Sequence, residues 1–263
     1  MKRARRCTVT GLVAIAMTAC LVAAPAAARD SERFDWTGTL AGGGEVEIKN
    51  VNGPVEVEPG AGAEVVVEAI KIGRRDDPST VRIAVVEHDR GVTICAVYPG
   101  KGNDCVPGEG RGGTSTRNND VVVEFRVRVP SSATVSANSV NGRVEVGRVE
   151  GDVRAVTVNG SIEVDAGGSV SARSVNGSID VRFGGAAGRD DLEFETVNGS
   201  IRLRVPRDLA VDLDIRTQNG AIETDWDLPV VGKWSGRRLE SSVGGGGRRL
   251  RARTVNGDVT IRE

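Results

Sequence analysis

The chain has 263 residues, a formal net charge of −1, and eight aromatic side chains against 35 glycines. Setting aside the four basic residues among the first 28 leaves 31 basic against 36 acidic side chains, a net −5. That balance gives no electrostatic case for nucleic acid or an anionic membrane, and so few rings suit a thin core of small and β-branched side chains.

Residues 1–28 have the pattern of an export signal. Lys2, Arg3, Arg5 and Arg6 precede an apolar run from Leu12 to Ala24, and Ala26-Ala27-Ala28 offers the small-x-small cleavage pattern. A lipoprotein reading at Cys20 competes, since Met17-Thr18-Ala19-Cys20 resembles a lipobox, but more apolar residues follow Cys20 where a polar tether normally begins. On either reading the protein is expected to leave the cytoplasm for the periplasm, the cell surface or the medium. No later run approaches the ~20 apolar residues needed to span a bilayer. The mature chain is expected to be soluble or tethered only at its N-terminus.

Residues 29–44 are polar and Gly-rich, with Phe34 and Trp36 as packing anchors, and read as a leader that caps one end of the fold. From Glu45 to Pro130 the texture is strand-like. Val46, Ile48, Val55 and Val57 alternate with charges, and VRIAVVEHDRGVTICAVYP (81–99) reads as two strands turning at His88-Asp89-Arg90-Gly91. VVVEFRVRVP (121–130) puts Val121, Val123, Phe125, Val127 and Val129 on one face, and the stretch 108–119 before it carries no period. Cys95 and Cys105 flank a Pro/Gly-rich loop, and in an oxidising compartment such a pair is most simply a disulfide. Their spacing is not that of a zinc site, and the one histidine, His88, is too isolated to complete one, so neither metal nor cofactor is expected.

From residue 131 to 263 a repeat takes over, with the form [Val/Leu]-x-[Ala/Phe]-x-[Ser/Thr]-Val-Asn-Gly-x-[Ile/Val]-x-[Val/Leu]. Its asparagines are Asn141, Asn159, Asn176, Asn198, Asn219 and Asn256, and an outlying copy, NVNGPVEV, lies at 50–57. The last step is long and reads as an insertion over 226–247. Two geometries fit. Asn-Gly can be the two-residue loop of a β-hairpin, giving a meander. It can equally be a corner between two faces of a β-solenoid, with inward residues on both sides of the bend. Keeping Asn at every copy favours the solenoid, because stacked Asn side chains about 4.8 Å apart can hydrogen-bond as a ladder, whereas a hairpin accepts Asp-Gly or Gly-Gly as well. An all-β solenoid continuous with the preceding β region is therefore expected.

The VNG repeats, the ICAVYP…C pair and the FRVRVP strand together resemble a bacterial adhesin-like family of β-strand repeats, a domain of unknown function found in exported proteins. The resemblance covers roughly residues 40–263. It implies a right-handed, single-stranded β-helix of the pectate-lyase-like shape outside the cytoplasm, and it brings no catalytic residues.

Candidate chemistry is sparse. The acid pairs Asp76-Asp77 and Asp190-Asp191, with Asp225 and Asp227, sit at turns beside Arg or Gly, where solvated acids are ordinary. Adjacent residues on a strand point to opposite faces, so neither pair can jointly flank a glycosidic bond. Glu87-His88-Asp89 has no nucleophile motif to serve and reads as a turn. The arginines at 237, 238, 248, 249, 251 and 253 read as solvated outward positions rather than a grip for an acidic glycan or a lipid headgroup. The expectation is a monomeric, non-enzymatic, adhesin-like or structural module at the cell envelope that binds an unidentified protein or glycan. The alternatives are a carbohydrate-active enzyme on the same fold and an envelope sensory or stress accessory.

Overall fold

A computed structural model describes residues 30–108, 118–184, 190–232 and 236–263. The export segment, Cys20, Trp234 and most of the stretch 108–119 lie outside these residues.

A strand forms wherever apolar and polar side chains alternate, and a 3-10 turn at Pro78–Thr80 is the one helical element among the described residues. The first strands are β1 (Ser31–Thr39), β2 (Glu45–Lys49), β3 (Val55–Gly60) and β4 (Glu64–Ile72). Then come β5 (Arg82–His88), β6 (Gly91–Val97) and β7 (Val122–Pro130). The regular repeats supply β8 (Thr134–Asn138), β9 (Val144–Val149), β10 (Val153–Val156), β11 (Ile162–Ala166), β12 (Val170–Arg173), β13 (Ile179–Phe183), β14 (Leu192–Asn198) and β15 (Ile201–Arg204). The last are β16 (Val211–Asn219), β17 (Ile222–Thr224), β18 (Arg237–Val243), β19 (Arg248–Asn256) and β20 (Val259–Arg262).

These strands form two ten-stranded sheets. One runs β1-β4-β7-β3-β9-β11-β13-β15-β20-β17 and the other β18-β16-β19-β14-β12-β10-β8-β2-β6-β5. The strands before and after each Asn-Gly lie in different sheets. Thus β10 pairs in parallel with β8 and β12, while β11 pairs in parallel with β9 and β13. A hairpin would have paired β10 with β11, so the meander geometry does not occur. Each repeat is one rung of a two-faced, solenoid-like stack.

Chain order and rung order differ at both ends. The β2–β3 rung lies between β6–β7 and β8–β9, and the β19–β20 rung lies between β14–β15 and β16–β17. The step from Asn219 to Asn256 is therefore not one long rung. Within it, β18 doubles back antiparallel along β16, and the chain then enters the gap on the other side of β16 as β19. Antiparallel strands also close the other end: β4 on β7, β1 on β4, and β5 on β6. β1 occupies the outer edge of its sheet with Phe34 and Trp36 packed against the core.

Inside, the parallel register stacks like upon like. Ile48, Ala137, Ala155, Ala172, Phe194, Ala252 and Ile215 form one buried column. Alanines at most of these positions let the two sheets approach closely, and the bulkier Phe194 meets Phe183 of the facing sheet edge-on at 6.0 Å between ring centroids. Val121, Val123, Phe125, Val127 and Val129 are all buried on one face.

Candidate interaction surfaces of the solenoid

The [Ser/Thr]-Val-Asn-Gly corner assigns each residue a separate task. The hydroxyl is buried and donates to the glycine carbonyl of the neighbouring rung: Thr157 to Gly142 at 2.9 Å, Ser174 to Gly160 at 3.0 Å, and Thr196 to Gly177 at 2.9 Å. In the outlying first copy Asn50 takes this place, and its longer side chain reaches both Gly53 and Val123 carbonyls. The glycine is required by close approach. A Cβ at Gly160 would lie 2.1 Å from the Gly142 carbonyl oxygen, closer than any side chain tolerates.

The asparagine amides form a continuous ladder. Asn141 donates to Asn52 at 2.9 Å, and Asn159 to Asn141, Asn176 to Asn159, and Asn198 to Asn176 each at 2.8 Å. Asn256 then donates to Asn198, and Asn219 to Asn256, again at 2.8 Å. Beside this ladder the valine of the motif faces out. Val158, Val175, Val197 and Val255 are each exposed by 37–41% and stand side by side as an apolar ridge. The sequence contains the signal for this ridge, since Thr157 inward requires Val158 outward on an extended strand.

Next to the ridge, the outer face of the β14–β19–β16 sheet is a lattice of ion pairs. Arg173 bonds Glu193 at 2.5 Å, Arg216 bonds Asp214 at 2.8 Å and Glu240 at 3.2 Å, and Arg253 bonds Asp214 at 3.1 Å. Arg251 lies 3.7 Å from both Glu193 and Asp214, and Arg238 pairs with Glu240. Burial opposes the charged form of Asp214, but the hydrogen bonds from Arg216 and Arg253 outweigh it and hold the carboxyl below the ordinary range. Arg251 and Arg253 are thus drawn into pairs with acids from other rungs, which sequence distance conceals.

The other sheet carries two outward columns. Glu56, Glu145, Glu163 and Asp180 are successive register neighbours, so four carboxylates stack along the axis. Arg143 clamps Glu145 at 3.1 Å and Glu163 at 2.5 Å, while Arg202 takes Asp180 at 3.2 Å. In the second column Asp165 is followed by Arg182, Arg204 and Arg262.

The acids singled out from sequence do not converge. Asp77 caps the 3-10 turn through Ser79, and Asp76 accepts from the Asp120 backbone N–H at 2.8 Å. Asp191 accepts from the Arg249 backbone N–H, and Asp225 accepts from Arg262 and from the Glu263 backbone. His88 meets neither of its sequence neighbours. Its Nε2 lies 3.1 Å from Thr93 Oγ1, which donates to the buried Glu47 at 2.9 Å. Thr93 and Glu47 are buried, while His88 at the head of the line is half-buried. Glu47 also accepts from the Gly108 backbone, and Lys49 donates to the Val106 and Gly108 carbonyls at 2.7 and 2.6 Å. The loop doing this is stapled by a Cys95–Cys105 disulfide with a Cα–Cα distance of 5.6 Å. Among the described residues no group of three or more His, Cys, Asp or Glu side chains is placed to hold a metal ion.

A family model described as Toastrack DUF4097 matches residues 44–262. No curated protein matches the chain. Among solved structures, a protein ascribed to cell adhesion from Clostridium sporogenes is 10% identical at a TM-score of 0.45, covering 88% of this chain and 99% of its own. An ascribed adhesin from Bacteroides fragilis is 10% identical at a TM-score of 0.34, with 88% and 96% covered. Another from Parabacteroides distasonis is 12% identical at 0.22, with 89% and 98% covered.

Proposed function

The chain belongs to the Toastrack DUF4097 family, and from that premise we propose that it is an exported, non-enzymatic interaction module, adhesin-like or structural, working at the cell envelope as a monomer. The observation that carries this reading is the state of the outer carboxylates. Glu163, Asp180, Asp214, Glu193 and Asp225 each bond an arginine, most of them on a different rung, so they cross-link the rod instead of standing ready as an acid and a base. What remains for a partner is a long, stiff surface with repeated chemistry: amide ladder, valine ridge and charge columns. The signal-like segment 1–28 and the disulfide supply the reason to place it outside the cytoplasm. Within this proposal the β region 45–130 and the repeats 131–263 work as one rod, capped by 29–44 and by the 226–247 segment. The coil is right-handed within this proposal, as the resemblance to the adhesin-like β-strand repeat family implies.

Two measurements test the reading. Expressed with residues 1–28 the protein is expected in the exported fraction, and without them in the cytoplasm. Incubated with a panel of acidic polysaccharides it is expected to leave their chain length unchanged. Shortening of any of them would hand the function to a carbohydrate-active enzyme.

A further inference from the structure

We propose that Arg204, with Arg182 and Arg262 on either side of it, forms a binding site for an oxyanion, carboxylate or sulfate, carried on an acidic polysaccharide. The site lies on the outer face of the β13–β15–β20 strands. This rests on the reading of the protein as a binding module and gives that module a ligand class.

Parallel in-register pairing sets Arg204 directly between Arg182 and Arg262. Neighbouring strands are about 4.8 Å apart, so three guanidinium-bearing side chains leave adjacent strands at the closest lateral spacing a sheet permits. Like charges directly opposite destabilise a sheet, and the fold offsets this at the flanks only. Arg182 has Asp165 at 3.5 Å, and Arg262 has Asp225 at 2.6 Å and Glu223 at 2.9 Å. For Arg204 the structure contains no ion pair among the described residues. Its strand neighbour two residues back is Arg202, and on β20 the position beside Arg202 is Thr260 rather than an acid. All four arginines are exposed. They line one side of a shallow depression of about 470 Å³ on this sheet face, whose other side carries Glu145, Glu163, Asp165 and Asp180, the last paired with Arg202 at 3.2 Å.

The chemistry of the depression follows. An exposed guanidinium presents a planar fork that matches a carboxylate or sulfate with two hydrogen bonds, and Arg204 offers that fork between two arginines already engaged by acids. The footprint also limits the ligand. The column is three strands wide, and acids bound it on both sides: Asp165 and Glu163 towards one end, Asp225 and Glu223 towards the other. A nucleic acid, with a phosphate at every step, would set charge against those acids. A glycan whose oxyanions are separated by uncharged sugars can place one in the gap and keep the next clear of those acids.

The test measures binding at low salt of the purified protein to hyaluronan and keratan sulfate, whose carboxylates or sulfates are spaced by uncharged sugars, with neutral dextran and single-stranded DNA as comparisons. The expected result is binding to at least one acidic glycan, weakened about tenfold or more by Arg204→Ala and partly restored by Arg204→Lys, which keeps the charge and loses the fork. Arg74→Ala, another exposed arginine far from the site, is expected to bind as the unaltered protein does. An unchanged thermal midpoint shows that Arg204→Ala still folds. Failure to bind either acidic glycan, equal loss in Arg74→Ala, or equal binding to dextran or DNA overturns the assignment. If the protein is exported and leaves polysaccharides intact yet binds no acidic glycan, the ligand class falls and the reading as a non-enzymatic envelope module stands.

Discussion

The side-chain amide of Asn256 donates to Asn198 at 2.8 Å across 58 residues of sequence, while Asn219, which is nearer in the chain, sits one rung farther out. The C-terminal repeat is therefore not the end of the rod. It is driven between two rungs already laid down, so its loss would separate them.

Position in the ladder is expected to set the cost of losing an amide. Asn159 both donates to Asn141 and accepts from Asn176, whereas Asn219 makes a single ladder bond. Asn159→Ala should cost about 1–2 kcal/mol and Asn219→Ala about half as much, since a net hydrogen bond contributes about 0.5–1.5 kcal/mol. Urea unfolding of the two variants beside the unaltered protein checks this: equal losses would show that position in the ladder does not matter, and no loss in either that the ladder does not stabilise the fold.

Gly160→Ala is expected to be severe, at about 3 kcal/mol or more, because its methyl would press on the Gly142 carbonyl oxygen at 2.1 Å and push two rungs apart. Gly42→Ala meets nothing within 4 Å and should change stability by no more than about 1 kcal/mol. Thermal unfolding of the pair compares backbone crowding with glycine entropy at once.

Removing the Cys95–Cys105 crosslink by Cys95→Ala/Cys105→Ala should cost about 3 kcal/mol in the chain-entropy model. The same change should loosen the loop over Glu47, because Val106 and Gly108 are its bonds to Lys49. Thiol labelling of the unreduced protein is expected to find neither cysteine free, and amide exchange at Gly108 should rise in the variant.

Asp120 supplies an acid-sensitive link. The Asp76 backbone N–H, with those of Arg75 and Arg74 and the Arg75 side chain, holds its carboxyl down to about 2. A folded-state value below the ordinary ~3.9 means this group stabilises the fold above that pH. The contribution fades as pH falls from about 3.9 towards 2. Asp120→Asn should flatten the stability curve in that window and leave its shape near neutrality unchanged.

The alternation on both sides of Asn-Gly was legible because each buried column repeats the same small or β-branched residues: Val153, Ala155, then Ile162, Val164. The order of the rungs was not. Every rung has the same inward pattern, so nothing in β19 states that it pairs with β14 rather than following β17. The surface was hidden for the same reason. Arg253 meets Asp214, 39 residues away, only once β19 lies beside β16, and Glu47 reaches Thr93 only through the β2–β6 pairing. The exposed valines could be inferred from phase alone, while the uncompensated Arg204 required knowing both of its neighbours.

The asparagine ladder also has a direction. At each step the later rung gives its nitrogen and the earlier one its oxygen, so Asn52 contributes only its oxygen and Asn219 only its nitrogen. Amide dipoles aligned this way add, as they do along a helix, and each polarises the next. The corner is a molecular wire of fixed sense, electropositive where the Asn52 N–H groups are left over and electronegative at the Asn219 carbonyl. An anionic group is therefore better placed near the Asn52 end and a cationic one near the Asn219 end, where Arg237 donates to the Gly220 carbonyl.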